Sequence, residues 1–277
     1  MADFIVYIQS VLLGIVEGIT EWLPVSSTGH MILLDEIFPM NVTEDFKNLF
    51  LVLVQIGAIL AVVVQFFSIL WPLKKEEGKI ALDMPTMKLW GKIVISCVPA
   101  AIVGILFDDF LEAMFYNWYT VALMLVVFGV LFLVVDREKG RPAPRCDSIH
   151  TLTIKDAVLI GLFQLIAAVF PGTSRSGATI VGALMIGVSR TAAAEYTFCM
   201  GVPVMLGAGL LKLLKFGLDF TATEFAVLMI GMVTAFVVSL LVIRFLMGYI
   251  KKHTFQIFGW YRIALGIVVS LYFLLVG

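Results

Sequence analysis

The sequence predicts an all-α integral membrane protein: six transmembrane helices plus two re-entrant helix pairs in an inverted-topology repeat. Three observations predict it. The 277 residues are 61% hydrophobic and 14% charged, whereas soluble domains average roughly 45–50% apolar and about 25% charged. Mean hydropathy is +1.05, which leaves no room for a separate soluble domain, so residues 1–277 read as a single membrane domain. Finally, six long apolar runs alternate with loops rich and poor in Lys and Arg, while four shorter runs break at "LPVSSTGH" and "FPGTSRSG".

The spanning runs are 49–71, 93–107, 119–135, 194–215, 225–247 and 258–276. A spanning helix needs roughly 20 apolar residues, and the run at 93–107 is short and contains Pro99. The interrupted runs are 4–16, 22–34, 157–174 and 176–189. Three of them fall short of a span, and segments of that size read as re-entrant or core helices. The N-terminus "MADFIVYIQS" lacks a cationic leader and a small-residue cleavage site, so it reads as mature protein.

Lys and Arg orient the chain, because cytoplasmic loops carry the excess. Loop 72–92 holds Lys74, Lys75, Lys79, Lys88 and Lys92, and loop 136–156 holds Arg137, Lys139, Arg141, Arg145 and Lys155. Loop 248–257 adds Lys251 and Lys252. These three loops are expected inside. Loops 35–48, 108–118 and 216–224 are acidic and are expected outside. Parity then makes residues 1–48 begin and end outside if they form a hairpin that does not cross (a spanning 4–23 would put the N-terminus inside), and residues 157–190 begin and end inside. One broken hairpin enters from each face, with the breaks free to meet near the midplane.

An offset of 147 lays Gly14 over Gly161, Ile19 over Ile166, Pro24 over Pro171 and Ser27 over Ser174. Repeat one covers about 1–135 and repeat two about 150–277. The copies diverge where chemistry would sit: Glu17 faces Gln164, Glu21 faces Ala168, and Thr28 faces Arg175. One copy supplies carboxylates and the other a guanidinium, which argues for a single composite site.

Glu17 and Glu21, spaced i, i+4, share a helix face. Two carboxylates in apolar surroundings do not both ionise cheaply, so one stays protonated or a cation sits between them. A hard divalent ion, Mg²⁺ or Ca²⁺, suits their oxygens. The plain alternative is a polar stripe at the membrane surface. "PVSSTGH" and "PGTSRSGAT" read as two phosphate cradles, because free N–H groups at a helix start attract an anion. Ser26, Thr28 and Gly29 would serve from the first, and Thr173, Ser174, Ser176 and Thr179 from the second. The alternative is a pair of simple N-caps, and a cap exposes the same donors. Arg175 is the one base between Lys155 and Arg190, and its fork matches phosphate oxygens; otherwise it is a structural salt bridge to Glu17 or Glu21. Ser27 is the candidate nucleophile, with His30 or a glutamate as base, or else a directly activated water attacks. Arg190, Arg244 and Arg262 read as snorkelling cations near helix ends, and Glu195 as a structural group within pairing reach of Arg190.

"EGITEWLPVSSTGH" together with "PGTSRSGATI" resembles the two signature segments of the bacterial undecaprenyl-diphosphate phosphatase family of the bacitracin-resistance type. "GVSRTAAAEYTF", "TAFVV" and "YRIALG" extend the resemblance along essentially the whole chain. The resemblance implies a hydrolase of the bacterial inner (plasma) membrane, its site facing the periplasmic side, that converts undecaprenyl diphosphate to the monophosphate. That reaction recycles the lipid carrier for peptidoglycan synthesis and cell shape. It also implies the same six-helix, two-hairpin fold, often dimeric. Carried over by motif position, Glu17 and Glu21 are the acidic pair, joined by Ser26, Ser27, Thr28, His30, Ser174, Arg175 and Thr179. The partners implied are the polyprenyl diphosphate and membrane lipids, not nucleic acid. The rival reading is a transporter that flips a phosphorylated polyprenyl lipid, since secondary transporters also build sites from broken helices in inverted repeats.

Overall fold

The computed structural model describes residues 2–76, 79–137, 143–217 and 219–276. Lys139 and Arg141 of the predicted inner loop lie outside the described residues, as do the side chains of Asp108 and Asp109. The chain is almost wholly helical. In order it forms α1 (Ala2–Thr20), α2 (Ser27–Ile37), α3 (Glu44–Gln65), α4 (Phe67–Leu70), β1 (Leu73–Glu76), β2 (Lys79–Leu82), α5 (Met84–Phe115), α6 (Trp118–Val135), α7 (Ile154–Val169), α8 (Arg175–Met185), α9 (Arg190–Phe216), α10 (Ala222–Tyr249) and α11 (Gln256–Leu275).

Six helices among the described residues are long and apolar enough to cross a membrane: α3, the stretch Met84–Phe107 of α5, α6, α9, α10 and α11. All six predicted spans are therefore present. The spans begin where side chains can cap them. Thr43, Asp83, Asn117, Ser189 and Thr221 each accept from the N–H three residues on, and Glu224 closes a full capping box on Thr221. In lipid, where no water covers stray backbone groups, such ends must be satisfied internally. Phe4, Ile105, Leu123, Leu241 and Leu274 stand exposed, as a lipid-facing surface requires, while the polar side chains Glu17, Ser26, Gln164, Thr179 and Arg262 are buried.

Three local expectations change. α5 continues through Pro99 to Phe115, so most of the predicted loop 108–118 is helix. The basic loop 72–92 contains a β-hairpin, with Leu73 paired to Leu82 and Glu76 to Lys79. Lys92 is not a loop cation: it lies buried in α5, and its ammonium donates to the carbonyls of His150 and Leu152 at 2.9 Å and of Ile149 at 3.4 Å.

Close packing follows the glycines. α1 lies along α10 and α7 along α5. A Cβ on Gly14 would stand 2.6 Å from the carbonyl oxygen of Gly231, and one on Gly161 2.5 Å from that of Ser96. Larger residues there would push the helices apart. α3 packs on α9 and α6 on α11, and each broken helix pair lies against at least one span, α1 on α10 and α7 on α5.

Candidate active site

Both helix pairs turn on a serine. Ser26 caps α2 at φ 74° and Ser174 caps α8 at φ 67°. They are the two non-glycine residues at positive φ among the described residues. The left-handed region costs an ordinary residue of order 1–2 kcal/mol, and strain of this kind gathers at functional sites. Each hydroxyl accepts from the N–H three residues on, Gly29 at 3.4 Å and Gly177 at 3.2 Å. This shared geometry pairs Ser26 with Ser174 and Ser27 with Arg175. The predicted pairing of Ser27 with Ser174 is one residue out of register within the loop. Pro171 stands one residue further from its cap than Pro24 does. Gly172, at φ +86° and pressed against the Val121 backbone, takes up the extra residue.

Glu21 joins the two loops. Its Oε1 accepts from Arg175 Nη2 at 2.9 Å and its Oε2 from the Ser27 hydroxyl at 3.2 Å. Its backbone carbonyl accepts from the Ser176 hydroxyl at 3.0 Å. Glu21 and Arg175 are both nearly buried, with side-chain exposures of 9% and 12%. A buried pair of this kind is weak evidence for stability, because desolvation offsets the attraction.

Arg175 is held on several sides. Nη1 donates to the carbonyl of Thr197 at 3.0 Å. The guanidinium carbon lies 6.0 Å from the Trp22 ring centroid, within cation–π range. α9 also presents Gly201, where a Cβ would meet both terminal nitrogens at 2.9 Å. Thr179 donates to the Arg175 carbonyl at 2.9 Å, and Thr197 donates to the Thr179 hydroxyl at 3.0 Å.

Several polar atoms in this region stay unpartnered. Glu17 Oε1, Trp22 Nε1, Thr173 Oγ1 and Arg175 Nε are buried with no hydrogen-bond partner. Buried polar groups are rarely left so, and a cluster of them calls for a ligand or bound water. Glu17 lies one turn before Glu21, whose N–H donates to the Glu17 carbonyl at 3.0 Å. No group of three or more His, Cys, Asp or Glu able to hold a metal occurs among the described residues. Glu17 Oε1 is nonetheless a hard oxygen donor with nothing to bind, and with Glu21 one turn on the pair has the donor chemistry that a divalent ion such as Mg²⁺ takes.

Of the predicted residues, Glu21, Ser27, Arg175, Ser176 and Thr179 form one hydrogen-bonded cluster, with Glu17 and Thr173 alongside. Ser26, Gly29 and Ser174 are committed to the caps, and Ser174 also shares a 3.2 Å contact with the Ser176 hydroxyl. Thr28 lies half-buried on the first turn of α2. His30 is engaged elsewhere: Nδ1 bonds the Ser26 carbonyl and Nε2 the Tyr261 hydroxyl, both at 2.7 Å.

Arg262 is a correction. It is fully buried rather than snorkelling. Nη1 donates to the Pro24 carbonyl at 3.2 Å, and Nη2 to the carbonyls of Gly172 at 2.9 Å and Thr173 at 2.8 Å. One guanidinium thus ties both loops together. The sequence did hold a signal, since an arginine inside an apolar helix is by default a functional candidate. Arg190 is corrected too: it bonds both oxygens of Asp136 at 2.9 Å, and Glu195 is not its partner.

The fold and site together define a polytopic membrane protein with a buried cluster of hydrogen-bonded polar and charged side chains, contributed by two broken helix pairs. Residues 10–268 match the family model described as bacitracin resistance protein BacA, and the chain belongs to that family. It is 59% identical over 274 residues to undecaprenyl-diphosphatase 1 of Clostridium acetobutylicum, covering 99% of this chain and 100% of the relative. It is 56% identical to the undecaprenyl-diphosphatase of Desulfitobacterium hafniense, over 96% of this chain and 95% of that one. The corresponding protein of Enterococcus faecalis is 53% identical, over 97% and 98%.

Proposed function

We propose that this protein is a membrane phosphatase that hydrolyses undecaprenyl diphosphate to undecaprenyl phosphate and inorganic phosphate, recycling the lipid carrier for cell-wall synthesis. Its relatives are named for hydrolysis of this substrate, and nothing in the site favours the lipid transporter. The observation that carries the reading is Glu21, which accepts from a candidate nucleophile on one loop and a phosphate-binding arginine on the other.

The chemistry follows from that arrangement. Phosphoryl transfer needs mainly positioning and neutralisation of charge on oxygen. Arg175, with Nε free, and the Thr173 hydroxyl hold the terminal phosphate. Glu21 Oε2 takes the proton of Ser27 as Oγ bonds the terminal phosphorus and the bridging P–O bond breaks, releasing undecaprenyl phosphate. Water then cleaves the phosphoserine and frees inorganic phosphate, with Glu21 again handling the proton. In the direct route, the same carboxylate deprotonates a water in place of Ser27. Glu17 and Glu21 would hold the divalent ion, which supplies neutralisation of diphosphate charge.

The inverted repeat, re-entrant insertion of both helix pairs, inner-membrane location and outward-facing site belong to this proposal. Three regularities support the repeat. The caps Ser26 and Ser174 share one geometry, α1 packs on α10 as α7 packs on α5, and α3 meets α9 as α6 meets α11. A homodimer rests on the family resemblance.

Purified protein in detergent should release phosphate from undecaprenyl diphosphate, and Glu21→Gln and Arg175→Ala should each abolish release. Well-folded wild type that releases none under any ion condition would shift the reading to transport.

A further inference from the structure

His30 has no hydrogen bond to Glu21, Ser27 or Arg175, yet its ring is held at both edges. Nδ1 faces the Ser26 carbonyl at 2.7 Å. A carbonyl only accepts, so Nδ1 carries the proton. In the neutral ring Nε2 then offers its lone pair, and the hydroxyl of Tyr261 meets it at 2.7 Å. The two rings also stack, with centroids 5.6 Å apart and planes 7° from parallel. Two short bonds at opposite ring edges plus a stacked face leave the imidazole one orientation. Tyr261 is 47% exposed, so this contact is not a by-product of filling the core.

Tyr261 also neighbours Arg262, which holds the carbonyls of Pro24, Gly172 and Thr173. One turn of α11 therefore fixes both loops and the only histidine near them, since His150 and His253 lie elsewhere in the chain. Nothing else in the site explains the tyrosine hydroxyl.

We propose that Tyr261 is a positioning residue for the hydrolysis, acting through His30 by holding its imidazole in the Nδ1–H tautomer, bonded to the Ser26 carbonyl of the loop that carries Ser27. The inference rests on the phosphatase reading. The test has two arms on the full-length chain in lipid nanodiscs. ¹⁵N-histidine labelling gives three side chains to follow, and His30→Gln identifies the signal of interest. His30 should show a protonated Nδ1, and Tyr261→Phe should move its Nε2 resonance while His150 and His253 stay put. In single-turnover assays with excess enzyme, Tyr261→Phe should slow phosphate release about two- to tenfold, the worth of one hydrogen bond, without weakening substrate binding. Added to His30→Gln, it should slow release no further. An unmoved Nε2 resonance overturns the inference, as does wild-type release by Tyr261→Phe, or an undiminished effect in the His30→Gln background. Wild type that releases no phosphate overturns the phosphatase reading and this role together; an active wild type with an indifferent Tyr261→Phe overturns the role alone.

Discussion

Gly201→Ala separates activity from stability at one atom. The added Cβ would stand 2.9 Å from Nη1 and Nη2 of Arg175 and 3.0 Å from its guanidinium carbon. Ordinary contact begins near 3.4 Å, so the guanidinium must retreat by about half an ångström. Its 2.9 Å bond to Glu21 then stretches beyond good hydrogen-bond length. Charge-assisted hydrogen bonds contribute about 1.5–3 kcal/mol, so kcat/KM should fall roughly 10- to 150-fold. Helix α9 gains instead, because alanine is about 1 kcal/mol better than glycine in a helix interior. Phosphate release from undecaprenyl diphosphate, paired with thermal unfolding of the same preparation, reads both effects. Activity within about twofold of wild type would show that the seat of Arg175 does not govern turnover. A matching collapse of stability would show that the loss is not local.

Four further outcomes are expected. Glu21→Gln should lower turnover at least about 100-fold, as loss of an acid–base group does, in protein that still binds the lipid in a pull-down. Ser27→Ala should abolish release on the covalent route; near wild-type turnover would assign the attack to water, and mass spectrometry for a phosphoserine checks the same point. Arg262→Lys keeps the charge but loses the fork, so at least one loop carbonyl goes unpaired at about 1–3 kcal/mol. Its melting temperature and turnover should fall together. Removing divalent ions with a chelator should suppress release, and Mg²⁺ or Ca²⁺ should restore it in wild type but not in Glu17→Gln.

The spans were legible because hydrophobicity alone carries them: each of the six apolar runs lies within or largely overlaps a long helix. Glu21, Ser27 and Arg175 were legible because ionisable and hydroxyl groups inside apolar segments have few structural uses. Arg262 was not, since its distance from the start of α11 suited snorkelling as well as burial. Only the fold brings the two loop breaks to its depth. The loop register failed for a related reason. Pro24 and Pro171 suggested one alignment, but the caps set another, and a left-handed serine leaves no mark in composition. Gly201 and Trp22 were invisible because their role is shape around another residue's side chain.

The Arg262 bond to Pro24 spans 238 positions of sequence. A ribosome delivers Pro24 early and Arg262 almost last. The carbonyls of Pro24, Gly172 and Thr173 are therefore synthesised long before the guanidinium that bonds them. The bonds that join the two loops to α11 are a property of the finished chain rather than of its first half.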